Sequence, residues 1–265
     1  MKKILLLFFF SFPSFLFILN AQPLGQYPMN VMLVDELPTD VHAKLRISAN
    51  VGGVYRFTNA TSSGNKQIDD FFNKMKIGLS FNADMTYFFS ENLGAGAVYS
   101  YARYSHKIND FVYQESPNAW GDDFEQPFQK GKIEDQISIQ FIGPAFQYRY
   151  YTNYREDALR THLALGYVNY HEKLYSPPRT YGNNPQLLDV GGNETINSGA
   201  FGIHLGVGYD FALSEKWALG IGLSALIATR KSEQRTTEFG QTENFNDGSD
   251  SLNSIELSVG LRYNK

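Results

Sequence analysis

The chain has 265 residues, 15% of them aromatic, a formal net charge of -4 and no cysteine. This mildly acidic balance supplies no basic stripe for nucleic acid, and the lack of Cys excludes disulfide frameworks, thiolate metal sites and a thioether-linked N-terminal lipid. The length suits one sheet-built domain.

Lys2 and Lys3 precede the almost wholly apolar run Ile4–Leu19, and Asn20-Ala21-Gln22 offers a small residue for cleavage after Ala21. That order predicts a cleaved signal peptide over 1–21, and therefore export. Residues 22–42 keep no sustained period and carry Pro23, Pro28 and Pro38, so they read as an irregular extension. From residue 43 to 265 the chain reads as one barrel domain.

Strand one starts at Ala43, where Leu45, Ile47, Ala49, Val51, Tyr55 and Phe57 alternate with polar residues or Gly. A period of two gives a strand one apolar and one polar face. A polar loop ending near Phe72 separates it from strand two, about Lys74–Phe89, whose odd residues are apolar. Strand three covers about Gly94–Ser105, with Ala95, Ala97, Tyr99 and Tyr101 outward. In strand four, from Lys132, residues Ile133, Ile137, Ile139 and Phe141 oppose Glu134, Gln136, Ser138 and Gln140. Past Gly143-Pro144 the apolar set changes parity to Phe146, Tyr148 and Tyr150, which predicts a bulge there. Strand five follows the turn Thr152–Ala158, with Leu163, Leu165 and Tyr167 on one face. Strand six, Phe201–Phe211, alternates Phe, Ile, Leu, Val, Tyr and Phe with Gly, His and Asp. Strand seven begins at Trp217 and strand eight covers Ser254–Tyr263.

Strands of about ten alternating residues are long for a soluble sheet and match a tilted bilayer crossing. The connections alternate too. Those after strands one, three, five and seven are long, whereas those after two, four and six are short. In an up-and-down sheet this collects the long loops at one end, as in outer-membrane barrels. The predicted fold is therefore all-β: an eight-stranded antiparallel up-and-down transmembrane β-barrel with a polar interior. An exported soluble barrel or sandwich is the competing architecture. Tyr87–Val98 and Tyr209–Leu223 share an aromatic strand end, Ser-Glu, and a Gly-alternating strand, so one hairpin design is expected twice.

The signal peptide, the eight strands, the Ser-Glu turns and the run Ile142–Tyr150 (IGPAFQYRY) resemble the small outer-membrane β-barrel proteins of Gram-negative bacteria. The leader's Asn-Ala-Gln ending is similar to those of the Bacteroidetes group. The resemblance implies an outer-membrane location, with membrane lipid as a partner and an extracellular ligand or protein at the loops. No functional residue is carried over by it.

Alternation points Lys44, Arg46, Lys76, Asp84, Glu134, Arg160, His204, Asp210, Glu256 and Arg262 inward, together with Arg56 and Glu172. Charges of both signs in a low-dielectric lumen are expected to pair. Inward glycines either leave space for water or make room for Phe146 and Tyr148. His162 and His204 fall on neighbouring strands, but two His without a third ligand make a poor metal site. Ser105, His106, His171 and Glu172 lie near the long-loop end without the spacing of a nucleophile elbow. The oxygen-rich Asn244–Asp250 run lacks the spacing of a calcium loop.

The expected function is thus a non-catalytic structural or surface-interaction role, as a monomer without cofactor, metal or nucleic acid. A narrow passive pore and a lipid-modifying enzyme are the alternatives. The aromatic loop residues Phe111, Tyr113, Trp120, Phe124 and Phe128, with Tyr175 and Tyr181, are the candidates for outside contacts.

Overall fold

The computed structural model describes residues 43–57, 66–113, 129–152, 157–175, 179–180, 188–189, 193–237, 239–245 and 250–265. The leader, the N-terminal extension, and the loop residues Trp120, Phe124, Phe128 and Tyr181 lie outside them. So does most of the Asn244–Asp250 run.

Eight long strands follow one another: β1 (Leu45–Arg56), β2 (Ile77–Phe88), β3 (Leu93–Tyr113), β4 (Gln129–Tyr151), β5 (Ala158–Tyr175), β6 (Asn193–Ala212), β7 (Trp217–Arg230) and β8 (Ser254–Asn264). Each pairs antiparallel with the next, and β8 pairs with β1 from Arg46↔Asn264 to Arg56↔Ser254. The sheet is closed. Closure matters because hydrocarbon offers no partner to an unpaired strand edge.

The turns after β2, β4 and β6 share one end of the barrel with the two ends of the strand ring, where the Leu45 amide donates to the Lys265 carbonyl at 2.7 Å. The repeated hairpin is real. Ser90 Oγ accepts from the Leu93 amide (2.9 Å) as Ser214 Oγ does from Trp217 (3.2 Å). The backbone bonds Phe89 N to Leu93 O and Leu213 N to Trp217 O match as well.

On the outer surface, large apolar side chains stand free: Phe201 is 85% exposed, Leu79 76% and Phe146 70%. A continuous belt of this kind belongs against lipid, not water. Aromatic residues border it, with Tyr87, Phe89, Tyr150, Phe211 and Trp217 exposed toward the turns and Tyr55, Phe57, Tyr167 and Phe201 toward the loops.

β3 to β6 have 21, 23, 18 and 20 residues, about twice what a crossing needs. Their surplus projects beyond the belt. Along the cross-strand register the last lipid-type row is Tyr99–Ile142–Tyr167–Phe201. Then come Tyr101–Gln140–Asn169–Gly199, Arg103–Ser138–His171–Asn197 and Ser105–Gln136–Lys173–Thr195, all pointing outward. The matching inward rows become apolar over the same span, with Ala102, Ile137, Ile139, Phe141, Val168 and Ile196 buried. Each strand keeps its parity while the outer medium changes from lipid to water, so the polar and apolar faces exchange.

That exchange removes the predicted bulge. β4 stays in one register with β3 from Tyr148↔Leu93 to Ile133↔Ile108, and the shift in this pair lies at Ile108/Phe111. The β4–β5 ladder skips Gly143 and Pro144 and resumes in step, from Ile142↔Tyr167 to Ala145↔Ala164. Proline lacks the N–H for a rung. Phe146 and Tyr148 accordingly face outward, not into the lumen.

Two loop elements extend this end. The segment expected as a polar loop contains a helix, α1 (Lys66–Lys74), whose Phe71, with Met75 just after the helix, is buried in the cluster that holds Tyr104, Ile137 and Ile139. A hairpin, residues 233–236 with 242–245, adds to the β6 side of the projecting sheet.

Candidate functional site

The interior is layered. Nearest the turns lies an ion cluster built from five strands. Asp210 on β6 is its centre: Arg46 Nε (3.3 Å), Arg160 Nε (3.2 Å) and Arg262 Nε (3.1 Å) all donate to its carboxylate. Arg46 also donates to Asp84 at 2.5 Å, and Asp84 accepts from Gln147 Nε2 (3.1 Å) and from Ser48 Oγ. All three guanidiniums and Asp210 are buried. Each buried charge thus has an opposite partner, although three guanidiniums share two carboxylates and Arg262 Nη2 is buried without a hydrogen bond. Below it, Arg149 stacks on Phe88 at 3.7 Å and donates to the Glu91 carbonyl at 2.8 Å, tying β4 to the first hairpin.

The next layer toward the loops carries His162 and His204, their rings parallel and joined Nε2 to Nδ1 at 2.9 Å. Asn82 donates to Glu256. A cavity of ≈ 30 Å³ borders both His rings and Arg262, and one of ≈ 10 Å³ lies beside Phe141 and Glu256. Each has room for about one or two waters.

Above these sits an apolar collar of Val54, Tyr104, Ile137, Ile139, Val168 and Leu226, all buried. At the rim, Tyr170 lies between Arg230 (4.3 Å from the ring centroid) and Arg56 (5.8 Å), and its hydroxyl donates to Glu172 at 2.5 Å. Arg230 is held by Glu233 (3.0 Å) and Asp250 (2.6 Å).

Arg46, Asp84, Arg160, Asp210 and Arg262 therefore come together as expected from alternation, and His204 and Glu256 lie in the layer above. Three others do not join them. Glu134 is on the outer face of the projecting sheet, paired with Lys132 at 2.6 Å, because β4 is already in water there. Lys76 donates to Asn73 at 2.9 Å beyond the loop end of β2. Lys44 precedes β1 and is exposed at the turn end. Sequence reasoning missed Gln147 and Arg149, because the change of apolar parity past Gly143-Pro144 left the facing of this part of β4 ambiguous.

Inward glycines are the sequence signal for the cluster's space. A Cβ on Gly220 would overlap Arg262 Nη2 and stand 2.5 Å from Asp210 Oδ1, and one on Gly206 would overlap the His162 ring. Gly220→Val should therefore destabilise the barrel by about 1–3 kcal/mol through overpacking. Gly53→Val, where a Cβ meets nothing within 4 Å, should be near neutral. Urea unfolding in lipid vesicles measures both, and equal midpoints would contradict the packing described here.

The catalytic candidates do not converge. Ser105 points outward while His106 packs against Phe71 at 5.4 Å. His171 bonds to Asn197 on the outer face at 2.7 Å, whereas its neighbour Glu172 turns inward to Tyr170. Among the described residues no group of three or more His, Cys, Asp or Glu side chains is placed to hold a metal ion.

Closed strand ring, lipid-type belt and charged interior define a transmembrane β-barrel. Protein-family models and curated proteins yield no match to the chain. Among solved structures it is similar to a major outer membrane protein from Thermus thermophilus, at 11% identity and a TM-score of 0.46, covering 83% of this chain and 99% of that one. It is similar to the outer membrane protease OmpT from Escherichia coli at 12% identity and TM-score 0.44, covering 83% and 96%. Neisserial surface protein A matches at 12% and 0.43, covering 84% and 98%.

Proposed function

We propose that this chain is a non-catalytic, monomeric outer-membrane protein with a sealed lumen, working as a structural element or through contacts on its external face. The observation that carries the reading is the apolar collar at Val54, Tyr104, Ile137, Ile139, Val168 and Leu226, with Phe71 and Met75 continuing its cluster beyond it. An aqueous path would have to cross this buried apolar layer and then the ion cluster. The signal-peptide-like leader and the collection of long loops at one end support the outer membrane as the location. Ser105 and His171 point outward whereas His106 and Glu172 turn inward, so no Ser–His–acid set is assembled, which supports a non-catalytic role. Its partners are membrane lipid around the belt and an extracellular ligand or protein at the projecting sheet and loops.

Purified, folded protein in a planar bilayer should give no ion current above the bare membrane. Stepwise conductance would replace this reading with that of a narrow passive pore.

A further inference from the structure

The projecting sheet puts cations where lipid headgroups lie. On the outer face of β3, β4 and β5, the described residues beyond the aromatic row include four cations, Arg103, Lys107, Lys132 and Lys173, against one carboxylate, Glu134, which Lys132 already engages at 2.6 Å. Arg103 donates to Gln136 Oε1 at 3.1 Å and is exposed, as is Lys173. Register brings these two together. Arg103 is directly opposite Ser138 on β4, and Lys173 is directly opposite Gln136 on the same strand. The strands are about 4.8 Å apart, so both long side chains flank the Ser138–Gln136 floor from opposite sides.

Height fixes the occupant. Successive outward rows are about 7 Å apart along the strand, or about 5 Å along the membrane normal at a tilt near 45°. The Arg103–Ser138–His171 row thus stands about 10 Å above the Tyr99–Ile142–Tyr167 row, and flexible Arg and Lys side chains reach back from there toward the interface. A phosphate there meets two cations and the second N–H of Gln136 Nε2, whose first goes to Glu134 at 2.8 Å; the Ser138 hydroxyl donates to the His171 carbonyl at 3.3 Å and would turn from it to reach the phosphate. A soluble protein partner would sit higher, at the loops.

We propose that the outer face of β3–β5 binds the phosphate of a lipid headgroup, clamped between Arg103 and Lys173 over Ser138 and Gln136. The site rests on the membrane reading and assigns one lipid contact to named residues.

The test uses the folded protein in phosphatidylcholine bilayers with or without a minority of phosphatidic acid, and native mass spectrometry of the lipids it retains. A third arm replaces phosphatidic acid by inorganic phosphate. Wild type should retain phosphatidic acid, and Arg103→Gln with Lys173→Gln should lower that retention about thirtyfold, each of the two surface cations near anionic lipid contributing about 1 kcal/mol. Lys66→Gln with Lys74→Gln removes the same charge from α1 and should retain as much as wild type. Equal losses in both double variants, no loss in either, or equal capture of inorganic phosphate would overturn the site. Heat-modifiable gel mobility confirms that each variant is folded. Failure of wild type to float with vesicles would remove the membrane reading itself, a separate outcome.

Discussion

Asp210→Asn should cost about 3–5 kcal/mol of stability, the range for breaking a buried ion pair from one side. Total stabilities are commonly about 5–15 kcal/mol, so this single change should abolish folding or leave a marginal barrel. Asp210 accepts from Arg46, Arg160 and Arg262, and its loss leaves three buried guanidiniums sharing Asp84. The amide of Asn offers one carbonyl oxygen in place of a charged pair. Because the damage is excess buried cation, Arg262→Gln added to Asp210→Asn should recover part of the loss. Denaturant titration in vesicles measures the single and double variants. A double variant no more stable than Asp210→Asn would show that shape, not charge, holds this layer. Glu256→Gln is the internal control, since the neutral Asn82 amide is its buried partner, and its effect should be near 1 kcal/mol.

The second large effect is a difference between two outward positions. Leu205→Arg, midway along the lipid-facing part of β6, should cost about 2–4 kcal/mol. Ser138→Arg, also outward but in the projecting part of β4, should change stability by less than about 0.5 kcal/mol, as ordinary surface substitutions do. Both side chains leave the barrel in the same direction, so what they share cannot explain the contrast. Only the medium differs. Equal destabilisation at the two sites would mean that the bilayer extends past the Tyr99–Ile142–Tyr167–Phe201 row, and the interior collar would then need another explanation.

The two faces of most strands could be read directly from residues. In β1, β2, β5, β6, β7 and β8 the odd positions face outward, as alternation predicts, and the order of long and short connections gives the up-and-down ring its two ends. Arg46, Asp84, Arg160, Asp210 and Arg262 were legible as inward charges for the same reason. Glu134 was not, because its inward placement required apolar to mean outward along the whole of a strand. β4 crosses from lipid to water, and Ile137, Ile139 and Phe141 turn inward because water has replaced lipid outside them. The helix α1 escaped notice too: nine residues with Lys, Gln and Asp around a Phe pair have little periodic signal of their own, and the buried site that accepts Phe71 makes the helix worth forming.

The amino-acid sequence by itself determined which residues share a face in every long strand but β4, how many long strands there are, and which connections reverse tightly, since these depend on neighbours two to five positions apart. The tertiary structure decided how high each strand rises, which partners meet across the lumen, and where the outer medium changes. Alternation records that two faces differ. It carries no information about which medium touches either one, because that depends on strand length and register in the closed ring. Asp210 meets three arginines from β1, β5 and β8, and no local signal could have chosen them: closure brings them within reach.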